Sequence, residues 1–248
     1  MTLLALWLFT VAGADLMRWE PARAGRRWPA LGVGAGVLAV VAGAIGLPAS
    51  TYALLLVAGI ALLAVWVLTS ERAFAGRGSD RVALLAVGAP VPLALATSGW
   101  SVPAGGALAA WMAQSDLPAL AGVRPEELLL GAGVAAFLLN TSNLIVRLVL
   151  ALAGTLAITE QSSLRGGRML GPLERTFIFG LGLAGELTAA SIVIAAKGLL
   201  RYPEISEGAR WRRRDRAAAM LPAQSLTEYF LIGTLTSWLL SLGFLPLL

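Results

Sequence analysis

From Ala53 to Leu68 the chain runs sixteen residues without a charged, amide or hydroxyl side chain. Similar Leu, Ala, Val and Gly runs occur at residues 3–17, 30–47, 82–98, 127–157, 172–200 and 224–247, with a shorter one at 102–113. Such runs approach the roughly 20 residues that an α-helix needs to cross about 30 Å of hydrocarbon. None alternates as a strand does, and backbone in lipid must satisfy its own hydrogen bonds, so the expectation is all-α: a polytopic transmembrane helix bundle rather than a barrel. With 58% hydrophobic and 13% charged residues and a mean hydropathy of +0.79, the chain is far more apolar than a water-soluble domain.

No loop is long enough for a separate folded domain. The sequence predicts one membrane domain over 1–248, with N-terminal helices in 1–113 and a polar three-helix unit in 127–248. The uncharged stretch Leu47-Pro48-Ala49-Ser50-Thr51 predicts a tight hairpin between the second and third helices. The small residues Ala12-Gly13-Ala14 resemble a signal-cleavage site, but no positive region precedes them, so the first helix reads as uncleaved.

Positive loops stay on the cytoplasmic side. Four arginines lie in 18–28, three in 71–81 and six in 201–224. Seven simple crossings cannot keep all three loops inside. A re-entrant or broken segment at 82–113, interrupted by Gly99, Pro103, Gly105 and Gly106, restores the parity, giving about seven transmembrane helices with both termini outside. The expected location is the bacterial cytoplasmic (inner) membrane, crossed several times. Trp19, Trp28, Trp100, Trp111 and Trp211 fall at segment ends, where amphipathic rings prefer the interface. Gly32 and Gly36, and Gly180, Gly182, Ala184 and Gly185, read as close-packing faces.

The chain has no cysteine and no histidine. Thiol chemistry, imidazole ligation of haem, a histidine triad and nearly all zinc sites are thereby excluded, and neither cofactor nor metal is expected. The net charge of +5 is carried by arginines in short loops, which speaks for topology rather than nucleic acid. The expected partners are the lipid bilayer, further copies of the chain in a homo-oligomer, and anionic headgroups at Arg210, Arg212, Arg213, Arg214 and Arg216, a cluster that reads first as a topology anchor.

Arg175, Glu186 and Lys197 stand at eleven-residue intervals in the run 172–200, and Lys197 is the only lysine. On one straight helix they would share a face. Ionisable groups inside membrane helices are costly and point to function. A hairpin centred near Arg165 would set Arg147 level with Glu186, and Asn140, Asn143 and Arg147 would share a face on the i, i+3, i+7 rule. A second hairpin, centred near residue 212, would pair Lys197 or Arg201 with Glu228. Thr234, Ser237 and Ser241 would face the same interior. Glu174 and Arg175 read as end markers. Asp15 reads as an interfacial residue beside Arg18.

The blocks Gly167-Arg168-Met169-Leu170-Gly171-Pro172-Leu173-Glu174-Arg175, Ala195-Ala196-Lys197, Arg201-Tyr202-Pro203-Glu204 and Glu228-Tyr229-Phe230-Leu231-Ile232-Gly233-Thr234-Leu235-Thr236-Ser237 occur in this order. Over about residues 166–240 they resemble a bacterial family of integral membrane proteins carrying a domain of unknown function. The resemblance implies that Glu174, Arg175, Lys197, Arg201 and Glu228 form a common unit.

The expected function is binding or transport of a small anionic or proton-coupled solute by Arg147, Glu186, Lys197, Glu228, Asn140, Asn143 and Arg201. The rival is a structural or accessory subunit of an envelope or defence system, whose charges only hold helices together. A membrane-embedded lipid enzyme would have to rely on Glu, Lys or Ser chemistry.

Overall fold

The computed structural model describes residues 1–18, 26–97, 99, 103–154, 167–197, 199 and 223–248, with the backbone alone at 119, 167–169 and 223–227. Among the described residues the regular structure is helical and there is no strand. The chain forms two compact units, Met1–Thr141 with Leu247–Leu248, and Ser142–Pro246.

The first unit is built around α1 (Thr2–Leu16). Its residues are apolar around the whole circumference, and a helix of that kind becomes a core element. Leu4, Ala5, Leu8, Val11 and Ala14 are fully buried. It packs against α2 (Arg27–Ile45) and α7 (Pro125–Leu139), and also touches α3 (Ala49–Phe74) and α5 (Pro90–Ala96). The close packing does not use Gly32 and Gly36, where a methyl group would meet open space. It uses Gly34, where a Cβ would come within 3.0 Å of the Thr10 carbonyl and 2.6 Å of Leu63.

The hairpin between α2 and α3 forms as expected. Gly46 ends α2 in the left-handed conformation (φ 75°), and Pro48 precedes α3. The Tyr52 hydroxyl, near the start of α3, donates to the Ala39 carbonyl at 3.2 Å. The 82–113 region is broken, as its Gly and Pro residues suggested. It holds α4 (Asp80–Gly88), α5 and α6 (Gly106–Gln114), of nine, seven and nine residues.

Three of the described helices are long and apolar enough to cross a membrane: α2, α3 and the final span Glu228–Leu247, which begins within α11 (Ala223–Leu242). The pair α7 and α8 (Thr141–Leu152), interrupted at Asn140, passes the same test only when taken together. Among the described residues three helices, or four with the broken pair, meet this test, where hydropathy suggested about seven segments along the whole sequence. Hydropathy registers apolar length, whereas a span also needs an uninterrupted helix. The outer faces of α2 and α3 are apolar: Val40, Leu54 and Val57 are 72%, 68% and 70% exposed. Trp28 and Trp111 are exposed, whereas Trp66 is fully buried.

In the second unit α9 (Gly167–Leu183) packs against α11, and α10 (Leu187–Lys197) follows α9. The run 172–200 is thus two helices. Ala184 donates to Gly180, Gly185 to Gly182 and Glu186 to Leu181 through their backbone N–H groups, at 3.0, 3.1 and 2.8 Å. With Gly185 left-handed (φ 77°), this is the Schellman pattern, in which a glycine closes a helix and satisfies its last carbonyls. Glu186 then starts α10: its carbonyl accepts from the Ala190 N–H at 3.0 Å, and a carboxylate there complements the positive end of the helix dipole.

Candidate functional site

The glycine stop at Gly185 turns the eleven-residue ladder back on itself. Lys197 Nζ, at the end of α10, bonds Oε2 of Glu174, midway along α9. On one straight helix, 23 residues would hold these groups roughly 35 Å apart, so α10 must run back along α9. Glu186, the middle rung, lies at the turn and is exposed. Three expectations are corrected here: Arg175, Glu186 and Lys197 do not share a face of one helix, Glu186 is not buried at mid-helix, and Lys197 pairs with Glu174 rather than with Glu228, which is exposed.

Arg175 is an interior residue rather than an end marker, only 3% exposed. Its Nη2 donates to the Asn143 Oδ1 on α8, and its Nη1 donates to the Ser237 Oγ on α11 at 3.1 Å. Both acceptors are neutral. Four helices, α8 to α11, therefore contribute to one polar cluster of Asn143, Glu174, Arg175, Lys197 and Ser237. Thr234 and Ser241, at i−3 and i+4 from Ser237, are buried, and the Ser241 hydroxyl donates to the Ser237 carbonyl at 2.9 Å. Glu174 has a second oxygen, Oε1, that is buried without a hydrogen-bond partner. The Trp238 indole N–H is buried without an acceptor as well. An apolar groove lined by Leu173, Thr176, Phe177, Gly180 and Leu181 runs along α9 beside the cluster.

The proposed stripe of Asn140, Asn143 and Arg147 is divided. Asn140 ends α7 (φ −110°, ψ −68°) and donates to the Ala12 carbonyl of the first unit at 3.4 Å. Asn143 and Arg147 remain on one face of α8, a turn apart. The contact between Asn143 and Arg175 centres the two helices near residue 159 instead of near Arg165, a register shift of about three turns. Among the described residues the ion pairs are Asp15 with Arg18, Arg124 with Glu127 and Glu174 with Lys197; Arg147 with Glu186 is not one of them. Arg201 and the cluster Arg210, Arg212, Arg213, Arg214 and Arg216 lie outside the described residues, as do Trp19, Trp100 and Trp211.

A second polar network lies in the first unit. Asp15 is 3% exposed and does not sit at a surface. Arg18 donates to Asp15 at 3.0 Å and to the Ser70 hydroxyl at 2.7 Å, and the Trp66 N–H reaches both Asp15 oxygens at 3.2 and 3.1 Å. The Arg18 guanidinium also lies 5.8 Å from the Trp66 ring centroid, within cation–π range. The buried Thr141 hydroxyl faces the same carboxylate without meeting hydrogen-bond geometry. The sequence held a signal for this network: Asp15 and Arg18 are i, i+3 and Trp66 and Ser70 are i, i+4, spacings that place each pair on one helix face.

Among the described residues no group of three or more Asp or Glu side chains has the geometry to hold a metal ion. Comparison with protein-family models, with curated proteins and with solved structures finds no match for this chain.

Proposed function

We propose that the chain is an integral membrane protein whose second unit binds a small anionic solute, and carries it across the bilayer, at the cluster of Asn143, Glu174, Arg175, Lys197 and Ser237. The observation that supports this most is Arg175, a 3% exposed guanidinium bonded to two neutral oxygens from two other helices. Arginine stays protonated and offers five donors in a planar fork. Asn143 and Ser237 accept from its two Nη groups and so fix the plane of the guanidinium. Lys197 adds a second cation through its pair with Glu174, the single carboxylate among these five side chains. The apolar outer faces of α2 and α3, together with the span that begins in α11, support the membrane setting.

The alternative reading is a structural subunit, and one observation favours it. Asn143, Arg175 and Ser237 tie α8, α9 and α11 together, as an interhelical polar clamp would. Reconstituted liposomes separate the two. Wild type is expected to move nitrate, acetate or phosphate down a gradient, and Arg175→Gln is expected to lose that flux while still folding, with a cooperative melting transition at a lower temperature. Failure of wild type to move any of the three anions, with Arg175→Gln merely less stable, would establish the structural role instead.

A further inference from the structure

The two oxygens of Glu174 are in different situations. Oε2 takes the hydrogen bond from Lys197, whereas Oε1 is buried with no donor. A carboxylate oxygen removed from water and left without a donor is far more costly than the oxygen of a neutral carboxyl group. The Lys197 side chain is 23% exposed and that of Glu174 is 13% exposed. Lys197 is therefore the more accessible side chain, and among the described residues one acceptor engages its three N–H donors. Its present partner is a carboxylate, so a small, planar, monovalent oxyanion is the ligand that can replace that partner.

Resting on the anion-binding reading above, we propose that Glu174 and a monovalent carboxylate-like anion are alternative partners of Lys197, so that each anion bound brings one proton onto Glu174. The hydrogen bond from Lys197 Nζ to Oε2 is lost and one from Nζ to the anion is made. An O–H bond forms on Glu174 as the buffer acid gives up a proton and becomes its conjugate base. Anion and proton enter together, so the net charge of the buried cluster does not change, which avoids the cost of an uncompensated buried ion. The other charged or titratable groups described on the elements around Glu174 are Arg175 on α9, Arg147 on α8, Glu186 at the α9–α10 turn, and Glu228 and Tyr229 on α11. Of these, Glu186 and Glu228 are exposed, which leaves Glu174 as the buried carboxylate next to Lys197.

The test is calorimetric titration of the full chain in detergent with nitrate, which has planar oxygens and stays ionised, and then with acetate. Buffers of different ionisation heat count the protons taken up between about pH 6 and about pH 8. Wild type is expected to take up one proton per nitrate and to lose about tenfold in affinity per pH unit. Glu174→Gln is expected to bind nitrate with no proton uptake and no pH dependence. Lys197→Gln should lose binding and Lys197→Arg should recover it. Continued proton uptake in Glu174→Gln, or wild-type affinity that is flat with pH, overturns the exchange and leaves anion binding standing. Absence of nitrate and acetate binding from both wild type and Glu174→Gln, with melting transitions intact, overturns the exchange and the anion site together.

Discussion

Asp15 and Arg175 are both charges held out of water, and their surroundings differ. Asp15 has a cation, an indole N–H and, through Arg18, a hydroxyl around it, so it forms a closed network. Removing one partner leaves the other charge buried, which typically costs about 3–5 kcal/mol. Asp15→Ala is accordingly expected to lower the melting temperature of the purified protein strongly. The double variant Asp15→Leu with Arg18→Met should recover most of that loss, because paired apolar replacements remove the buried charges altogether. A double variant no more stable than Asp15→Ala would count against this account. Arg175 donates to two neutral acceptors, and hydrogen bonds to charged groups contribute about 1.5–3 kcal/mol each. Asn143→Ala is expected to destabilise by an amount in that range in thermal unfolding. Of these contacts, the sequence displayed only the local ones. Asp15 with Arg18 are near neighbours, but the residues that bring Trp66 to Asp15 or Ser237 to Arg175 lie 51 and 62 positions away.

At the scale of elements, Gly185 decides the second unit. Replacing it with alanine keeps the volume small but forces a side chain into the left-handed region, a cost of about 1–2 kcal/mol. Gly185→Ala is therefore expected to loosen the turn between α9 and α10. The turn itself has a direct check, since the chain has no cysteine of its own. Cysteines at positions 174 and 197 should be joined in high yield by a short bifunctional maleimide, and Gly185→Ala should lower that yield. A continuous helix over 172–200 would give no crosslink. Gly185 followed by Glu186 is a glycine helix stop before an acidic helix start, yet the sequence reads as one apolar run with Gly185 on a packing face. The apolar residues on both sides concealed it, because hydropathy is insensitive to backbone conformation. The same insensitivity joined α7 to α8 across Asn140. Gly34 behaves differently: it is a contact glycine, and Gly34→Leu is expected to force α1 and α3 away from α2, at the 1–3 kcal/mol or so typical of overpacking.

At the scale of the whole molecule, α3 provides the clearest membrane test. Its 26 residues span roughly 39 Å, more than the hydrocarbon thickness. In the cysteine-free background, Ser50→Cys and Arg77→Cys, both at exposed positions beyond or near the ends of α3, are expected to react with an impermeant thiol reagent from opposite sides of a sealed vesicle. Arg77 should be on the cytoplasmic side, as the arginine-rich loop 71–81 requires. Labelling of both from one side would remove α3 as a span. Composition and apolar run length were enough to determine a helical chain, the α2–α3 hairpin, the broken 82–113 region and the absence of thiol and imidazole chemistry, because these depend on residue type and short-range geometry alone. The tertiary structure decided which charges meet. Partner choice depends on where each helix stops and on the register between helices, and a single left-handed glycine in an apolar run reverses the chain and brings Lys197 to Glu174.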